Sequence, residues 1–261
     1  MNILCIGDIV GRPGREAVQN LLPLLKEEYA LDFVIANAEN SAAGAGIIPK
    51  VAEELFSYGC DVLTTGDHIW DKKEVLDFLD KTPNLLRPAN FQPQAPGKGF
   101  FVAETAQGKK IAVINLLGRV FIRYNVNCPF EAADNILKEL KGQTNAIIVD
   151  FHGEATSERI AFGHFIDGRV SAVFGTHTHV QTADEKILPR GTGYITDVGM
   201  TGPFDSVIGQ KKENIVQRFL TSMPSKFEVA EGDVGLNGAI FTLDDATGRT
   251  INVVRVQRRL R

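Results

Sequence analysis

The feature that most constrains this chain is a repeated junction. A short apolar run of strand length stops, and a residue able to bind a metal or move a proton follows at once. Five such junctions occur: Asp8 in "IGDIVG", Glu39 with Asn40 in "IANAENSA", Asp67 with His68 in "TTGDHIWD", His152 in "IIVDFHGE", and His177 with His179 in "VFGTHTH". The first three runs alternate with amphipathic segments at 16–29, 49–58 and 72–80. That alternation is the βαβαβ signal, and the runs are too continuously apolar for a sheet with one wet face. In α/β sheets, ligands bind beyond the carboxyl ends of the strands, so five scattered endings can meet in one crevice.

The remaining segments extend this pattern. In "REAVQNLLPLLKEEY", Ala17, Leu21, Leu22, Leu24 and Leu25 share one helical side, and Pro23 is expected to kink the helix or move its start downstream. The stretch from 83 to 101 carries four prolines and reads as a loop lining a cleft. Two further strands, "GKKIAVINLLG" and "TNAIIVDFHGE", flank a helix that Pro129 opens and Gly142 closes. The last third is mostly strand, with a hairpin around "DDATGRT" and one helix in "KKENIVQRFLTSM". A mixed sheet, or two sheets with helices outside, is favoured over a purely parallel one. With 261 residues and no linker, the chain reads as a single domain spanning 1–261.

Composition excludes several functions. A net charge of -4 argues against a basic nucleic-acid binder, so Arg255, Arg258, Arg259 and Arg261 read as a solvated edge. No aromatic-basic interleaving points to a long nucleic-acid partner. Neither GxxxxGK[ST] nor a strand-linked GxGxxG is present, which leaves an ATPase or dehydrogenase without a phosphate loop. The N-terminus reads as a first strand rather than a signal peptide, and no apolar window reaches membrane length. Cys5, Cys60 and Cys128 read as reduced thiols, and the cytoplasm is the expected compartment.

Each junction has a bland reading. Asp8 alone suits a turn or an N-cap, and His68 or His152 alone suits a half-buried, hydrogen-bonded histidine. The set together is different, because burying these carboxylates and imidazoles without positive counter-charge is costly. A dinuclear centre of divalent iron, manganese or zinc removes the cost, with Glu39 able to bridge two ions that hold a hydroxide and orient a phosphate for in-line attack. In an extended "THTH" both imidazoles would project one way, each toward a different ion, with Thr178 pointing away and Gly175 allowing close approach. The glycine-rich "SAAGAGI" lets backbone approach a ligand.

Other polar residues keep two readings. Asp71 either orients His68 or caps the helix of "KKEVLDFLD". Glu154, Thr156, Thr182 and Asp184 either support His152 and the 177/179 pair or cap local backbone. Asp150 reads as a strand terminus, and His164 as a core or subunit-contact residue. Arg12, Arg87, Arg123 and Asn90 are candidate contacts to phosphate or base.

Taken together, "GD" at 7–8, "NAEN", "GDH" at 66–68, "DFH" at 150–152, "HGEATSE", "THTHVQTAD" and "YITDVGMTGP" resemble the YmdB group of calcineurin-like metallophosphoesterases over nearly the whole chain. The resemblance implies a four-layer α/β/β/α sandwich of two mixed sheets flanked by helices. It also implies two divalent ions, Fe or Mn foremost with Zn or Mg as alternatives, and hydrolysis of 2′,3′-cyclic nucleotides such as 2′,3′-cyclic AMP. Asp8, Asn40 and His179 would then hold one ion and Asp67, His152 and His177 the other, with Glu39 bridging. His68 would stabilise the phosphoryl transition state or protonate the leaving oxygen. A homo-oligomer follows from the resemblance alone.

This chain lacks the D-x-H opening of many metallophosphoesterases, since Ile9 and Val10 follow Asp8. It also has Gly-Asp-His where the group has Gly-Asn-His. The alternatives are a phosphomonoesterase or nuclease on short RNA ends, and a metal-stabilised regulatory or scaffold protein.

Overall fold

In the computed structural model, which describes residues 1–260, the apolar runs become strands buried on both faces. The chain opens with β1 (Asn2–Ile6), β2 (Asp8–Ile9), α1 (Gly11–Glu28), β3 (Phe33–Asn37), α2 (Pro49–Ser57), β4 (Val62–Thr64) and the short α3 (Leu76–Leu79). It continues with β5 (Phe100–Glu104), β6 (Lys110–Leu117), α4 (Pro129–Glu139), β7 (Ala146–His152), α5 (Thr156–Ile166) and β8 (Ala172–Thr176). Last come β9 (Lys186–Ile187), β10 (Gly193–Ile195), β11 (Met200–Pro203), α6 (Lys212–Thr221), β12 (Val234–Leu243) and β13 (Thr250–Arg259).

Two mixed sheets result. The first contains β1 to β4 with β11, β12 and β13, and the second runs β5-β6-β7-β8-β10-β9. In the first, β1, β3 and β4 are parallel while β12 runs antiparallel to β1. In the second, β6, β7, β8 and β10 are parallel. Alternate residues of each strand serve different cores. Leu4 and Ile6 join α1 and α2 residues such as Val18, Leu22 and Leu55, whereas Ile3 and Cys5 share a core with Ile111, Val113 and Phe174 of the other sheet. Ala112 and Ile114 pack with Ala133 of α4 and Phe162 of α5. The layers are therefore α/β/β/α, as expected, and burial on both faces explains runs without polar alternation.

Local expectations fare unevenly. α1 is one helix from Gly11 to Glu28 with Pro23 inside it, starting upstream of the expected residue 16. Pro23 is exposed, as is Gln19, whose carbonyl loses its helical donor, so water is available at the missing bond. The segment at 72–80 shortens to a 3₁₀ turn, Lys73–Val75, followed by α3. α5 has no clear start signal in the sequence, and it lacks a side-chain cap at Ala155.

The proline-rich stretch lines a cleft of about 420 Å³ through Ala89, Asn90, Phe91 and Pro93, apart from the cleft at the candidate ligands. Leu85 and Leu86 are buried, and Arg87 and Asn90 bond backbone carbonyls, including Pro88 O at 2.8 Å and Leu117 O at 2.7 Å. β13 pairs with β12 alone, and its arginines are matched by acids: Arg255 with Glu185 at 2.8 Å, Arg258 with Glu28, and Arg259 with Asp233 at 3.5 Å. Arg261 lies outside the described residues. All three cysteines are free thiols, and among the described residues no helix is long and apolar enough to cross a membrane.

Candidate metal centre

The carboxyl ends of β1, β3, β4, β7 and β8 deliver the ligand-type residues to one place. Glu39, Asp67, His152 and His177 each present an atom within 4.8 Å of the others. His152 Nε2 is the hub, at 3.1 Å from Glu39 Oε1, 3.0 Å from His177 Nδ1 and 3.5 Å from Asp67 Oδ1. Gly66 is obligatory beside it, because a Cβ there would sit 2.2 Å from His152 Nε2 and 2.4 Å from Glu39 Oε2.

The second group adjoins the first. Asn40 Nδ2 lies 3.2 Å from Glu39 Oε1 and 3.1 Å from His179 Nε2, and Asp8 Oδ1 lies 3.7 Å from the same imidazole nitrogen. The two histidines of "THTH" therefore diverge: His177 faces Asp67 and His152, while His179 faces Asp8 and Asn40.

They do not diverge by strand alternation. β8 ends at Thr176, and His177 and His179 both take positive φ, 104° and 64°. Asp197 sets this turn by accepting Thr178 N–H at 3.1 Å and Thr178 Oγ1 at 2.6 Å, and Arg159 holds Asp197 at 2.7 Å. Thr178 thus points away because it is tied down. Gly175 serves packing rather than the site, since a Cβ there would meet Thr196 O at 1.8 Å.

Behind the ligand atoms, hydrogen bonds fix which nitrogen is bare. The Thr176 hydroxyl donates to Asp150 Oδ1 at 2.7 Å, so it accepts from His152 Nδ1–H at 2.8 Å, and Nε2 faces the cluster. Asp150 also accepts from Asn37 at 3.1 Å and Thr64 at 2.5 Å. Burial pushes its carboxyl up to about 7 even against His152 and these donors. His179 donates Nδ1–H to Ile208 O at 2.9 Å, which leaves Nε2 bare toward Asp8 and Asn40. His177 presents Nε2 to Glu154 at 3.1 Å. Burial, followed by the neighbouring His152, lowers its pKa to about 4, so it is neutral near pH 7, with Nδ1 turned toward His152 Nε2.

Two features call for a cation. Asp8 Oδ1 and Asp67 Oδ1 are buried and have no hydrogen-bond donor. Around His152 Nε2, two carboxylates and a neutral imidazole converge. Burial alone would lower the pKa of His152, but Glu39, Asp67 and Asp8 outweigh burial and raise it. The cluster therefore requires positive charge at this point, and its mixed carboxylate and imidazole set suits a divalent transition metal. The residues present fit such an ion.

At the rim, His68 N–H donates to Glu39 Oε2 at 3.1 Å, and its side chain is 32% exposed. Its Nδ1 meets Asp71 Oδ2 at 2.7 Å, across a turn closed by Asp71 N–H to His68 O at 3.0 Å. Asp71 therefore holds His68 and caps nothing; the residue preceding α3 is Val75. Arg123 Nη2 donates to Asp71 Oδ1 and to Asp67 O, both at 2.7 Å, while its Nε lies 3.4 Å from Asp67 Oδ2.

Other expectations resolve differently. Arg12 is exposed and paired with Glu16 at 2.6 Å, and His164 is exposed on α5 rather than in the core. Thr156 opens α5. Thr182 and Asp184 bond each other at 2.6 Å and fasten Thr196 and Asp197, without touching the histidines. Asn37, Thr64, Thr176, Arg159 and Asp197 are functional supports that sequence reasoning misses; four of them show only as a polar residue inside or just after an apolar strand, and Arg159 is a buried arginine of α5.

The profile of a family described as "YmdB-like protein" matches residues 4–256. A 2′,3′-cyclic-nucleotide 2′-phosphodiesterase of Bacillus subtilis (strain 168) is 50% identical over 256 residues, covering 98% of this chain and 96% of that protein. Among solved structures, a hypothetical protein from Thermus thermophilus superposes with a TM-score of 0.92 at 39% identity, covering 99% of both chains. A novel phosphatase of Mycoplasma pneumoniae gives a TM-score of 0.92 at 38% identity, covering 99% of this chain and 93% of that one.

Proposed function

This chain belongs to the family of YmdB-like proteins, and from that premise we propose that it is a dimetal phosphodiesterase that hydrolyses small cyclic nucleotides, 2′,3′-cyclic AMP and its relatives foremost. The observation that carries the reading is the pair of buried, donor-less carboxylate oxygens, Asp8 Oδ1 and Asp67 Oδ1, set among imidazole nitrogens with fixed orientation. The activity for which the Bacillus subtilis relative is named supplies the substrate class.

Asp8, Asn40 and His179 would hold one ion and Asp67, His152 and His177 the other, with Glu39 between them; iron or manganese suits this donor set. When bound, such ions supply Lewis acidity toward the phosphate and lower the pKa of water. Thr176 and Ile208 O hold His152 and His179 in the tautomer that presents Nε2. His68 stands at the rim, where its Nε2 protonates the leaving ribose oxygen. Asp71 fixes the ring through Nδ1, and Arg123 fixes Asp71. Free thiols agree with a cytoplasmic site of action, and assembly of several copies is proposed from the family resemblance.

The test is to measure metal content, then to offer the Mn²⁺-loaded protein 2′,3′-cyclic AMP, 3′,5′-cyclic AMP, a phosphomonoester and a short RNA. We expect 2′,3′-cyclic AMP to be opened to a monophosphate fastest. Two occupied sites with no hydrolysis of any compound would replace the enzyme reading with a scaffold one.

A further inference from the structure

The candidate ligands and His68 account for part of the lining of a cleft of about 410 Å³. Gly44, Ala45, Ile208, Gln210 and Phe227 also line it. We propose that Ile208, Gln210 and Phe227 form a nucleobase shelf, on which the base of the substrate lies while its cyclic phosphate reaches the metal side. The proposal rests on the phosphodiesterase reading above and deepens it.

Ile208 is the first observation. Val207 and Gln210 close a two-residue turn with bonds of 2.9 and 3.0 Å, and its central residues Ile208 and Gly209 have φ of 48° and 93°. Glycine suits that backbone, but a β-branched residue is strained in it. Burial does not offset the strain, because Ile208 is 51% exposed. Backbone strain of this kind concentrates at functional sites. The Ile208 carbonyl already holds His179, a task glycine would perform equally well. What the isoleucine adds is an apolar side chain at the mouth of the cleft.

Phe227 is the second. It is 59% exposed, yet its segment is fastened to the same turn: Gln210 bridges Val229, Ala230 N–H bonds Gly209 O at 2.9 Å, and Lys211 N–H bonds Glu228 O at 2.8 Å. The Arg218 guanidinium lies 5.1 Å from the ring centroid. An exposed aromatic ring on a fastened segment beside a phosphate-type site is a stacking platform, and stacking tolerates every base.

Gln210 is the third. Its amide lines the cleft, and its Oε1 is shielded from solvent without a donor. Rotation about the last side-chain bond exchanges oxygen for nitrogen, so the amide offers an acceptor or a donor to a base edge. A cleft of this volume falls within the range of small-ligand sites, which are mostly apolar with a few placed polar groups.

The test compares 2′,3′-cyclic AMP with methyl riboside 2,3-cyclic phosphate, which keeps the reacting ring and lacks the base. The readout is the ratio of kcat/KM for the two compounds, which cancels any loss of folded protein. The wild type should favour the nucleotide. Phe227→Ala should lower the ratio about 5- to 150-fold, the span expected for one base-aromatic stack, Phe227→Tyr should keep it, and Ile208→Gly should lower it while relieving the backbone. A wild type that treats both compounds alike, or an unchanged ratio in Phe227→Ala and Ile208→Gly, overturns the shelf alone. A wild type inert toward both compounds overturns the phosphodiesterase reading itself.

Discussion

The floor and the rim of the site are held in different ways. Asp8, Glu39 and His152 are at most 1% exposed, and the last is fixed from behind by Thr176, Asp150, Asn37 and Thr64 at the ends of four strands. His68, Asp71 and Arg123 have side chains 32%, 28% and 47% exposed, and they hold mainly one another. The fold dictates the geometry of the floor, whereas the rim is a local triad laid over it. Damage to the floor should therefore appear in metal retention and stability, and damage to the rim in rate.

The largest contrast comes from His68→Ala. Losing the proton donor should lower kcat by about 10²- to 10⁴-fold, with metal content and melting temperature equal to wild type. Metal analysis and a thermal melt beside the kinetics decide it. A matching loss of metal would place His68 in the floor and end the distinction.

Thr176→Val is the counterpart from behind the floor. It preserves shape but removes the hydroxyl that accepts from His152 Nδ1–H and donates to Asp150. Loss of such a supporting hydrogen bond typically weakens metal binding by about 10- to 100-fold. Manganese titration by calorimetry should show that weakening, while kcat at saturating metal changes little. The pH dependence has a definite sign. Because Glu39, Asp67 and Asp8 outweigh burial and raise the pKa of His152 in the metal-free protein, an ion must displace its proton. Wild-type affinity should therefore fall as pH falls, with proton release visible as a buffer-dependent binding enthalpy. A pH-independent affinity would remove His152 from the ligands.

The same division explains what the sequence discloses. Strands buried on both faces write continuous apolar runs, so β1, β3, β4, β7 and β8 are legible, and with them the residues at their ends. The two sheets are legible because strand signals dominate the last third. The supports are not. Asn37, Thr64 and Thr176 are small polar residues within strands, and nothing in their own segments shows that they converge on Asp150 from the two sheets. The positive φ of His177 and His179 goes with a turn tied down by Asp197 and Arg159, so local alternation, which sends both rings one way, misses their divergence. Pro23 misleads because a proline matters less where its missing bond faces water. Arg123 carries a charge but no address until Asp67 and Asp71 surround it.

Asp67 belongs to both regions, and the smallest effect should be found there. Its Oδ1 faces His152 and His177 without a donor, while Oδ2 lies 3.4 Å from Arg123 Nε. The negative charge of Asp67 is thus partly answered from the rim. Asp67→Asn keeps an oxygen for the cluster but turns an amide N–H toward the arginine, donor against donor. With Arg123 half exposed, solvent screens much of this exchange. Manganese affinity should fall about 3- to 10-fold, a range set by roughly 1 kcal/mol of lost charge pairing. Since the arginine opposes the amide and favours the carboxylate, Arg123→Met should make Asp67→Asn less costly. The double variant should then depart from additivity by about 0.5–1 kcal/mol. Strict additivity in the manganese titrations would mean that Arg123 serves Asp71 alone, and that floor and rim meet only through the backbone at Asp67.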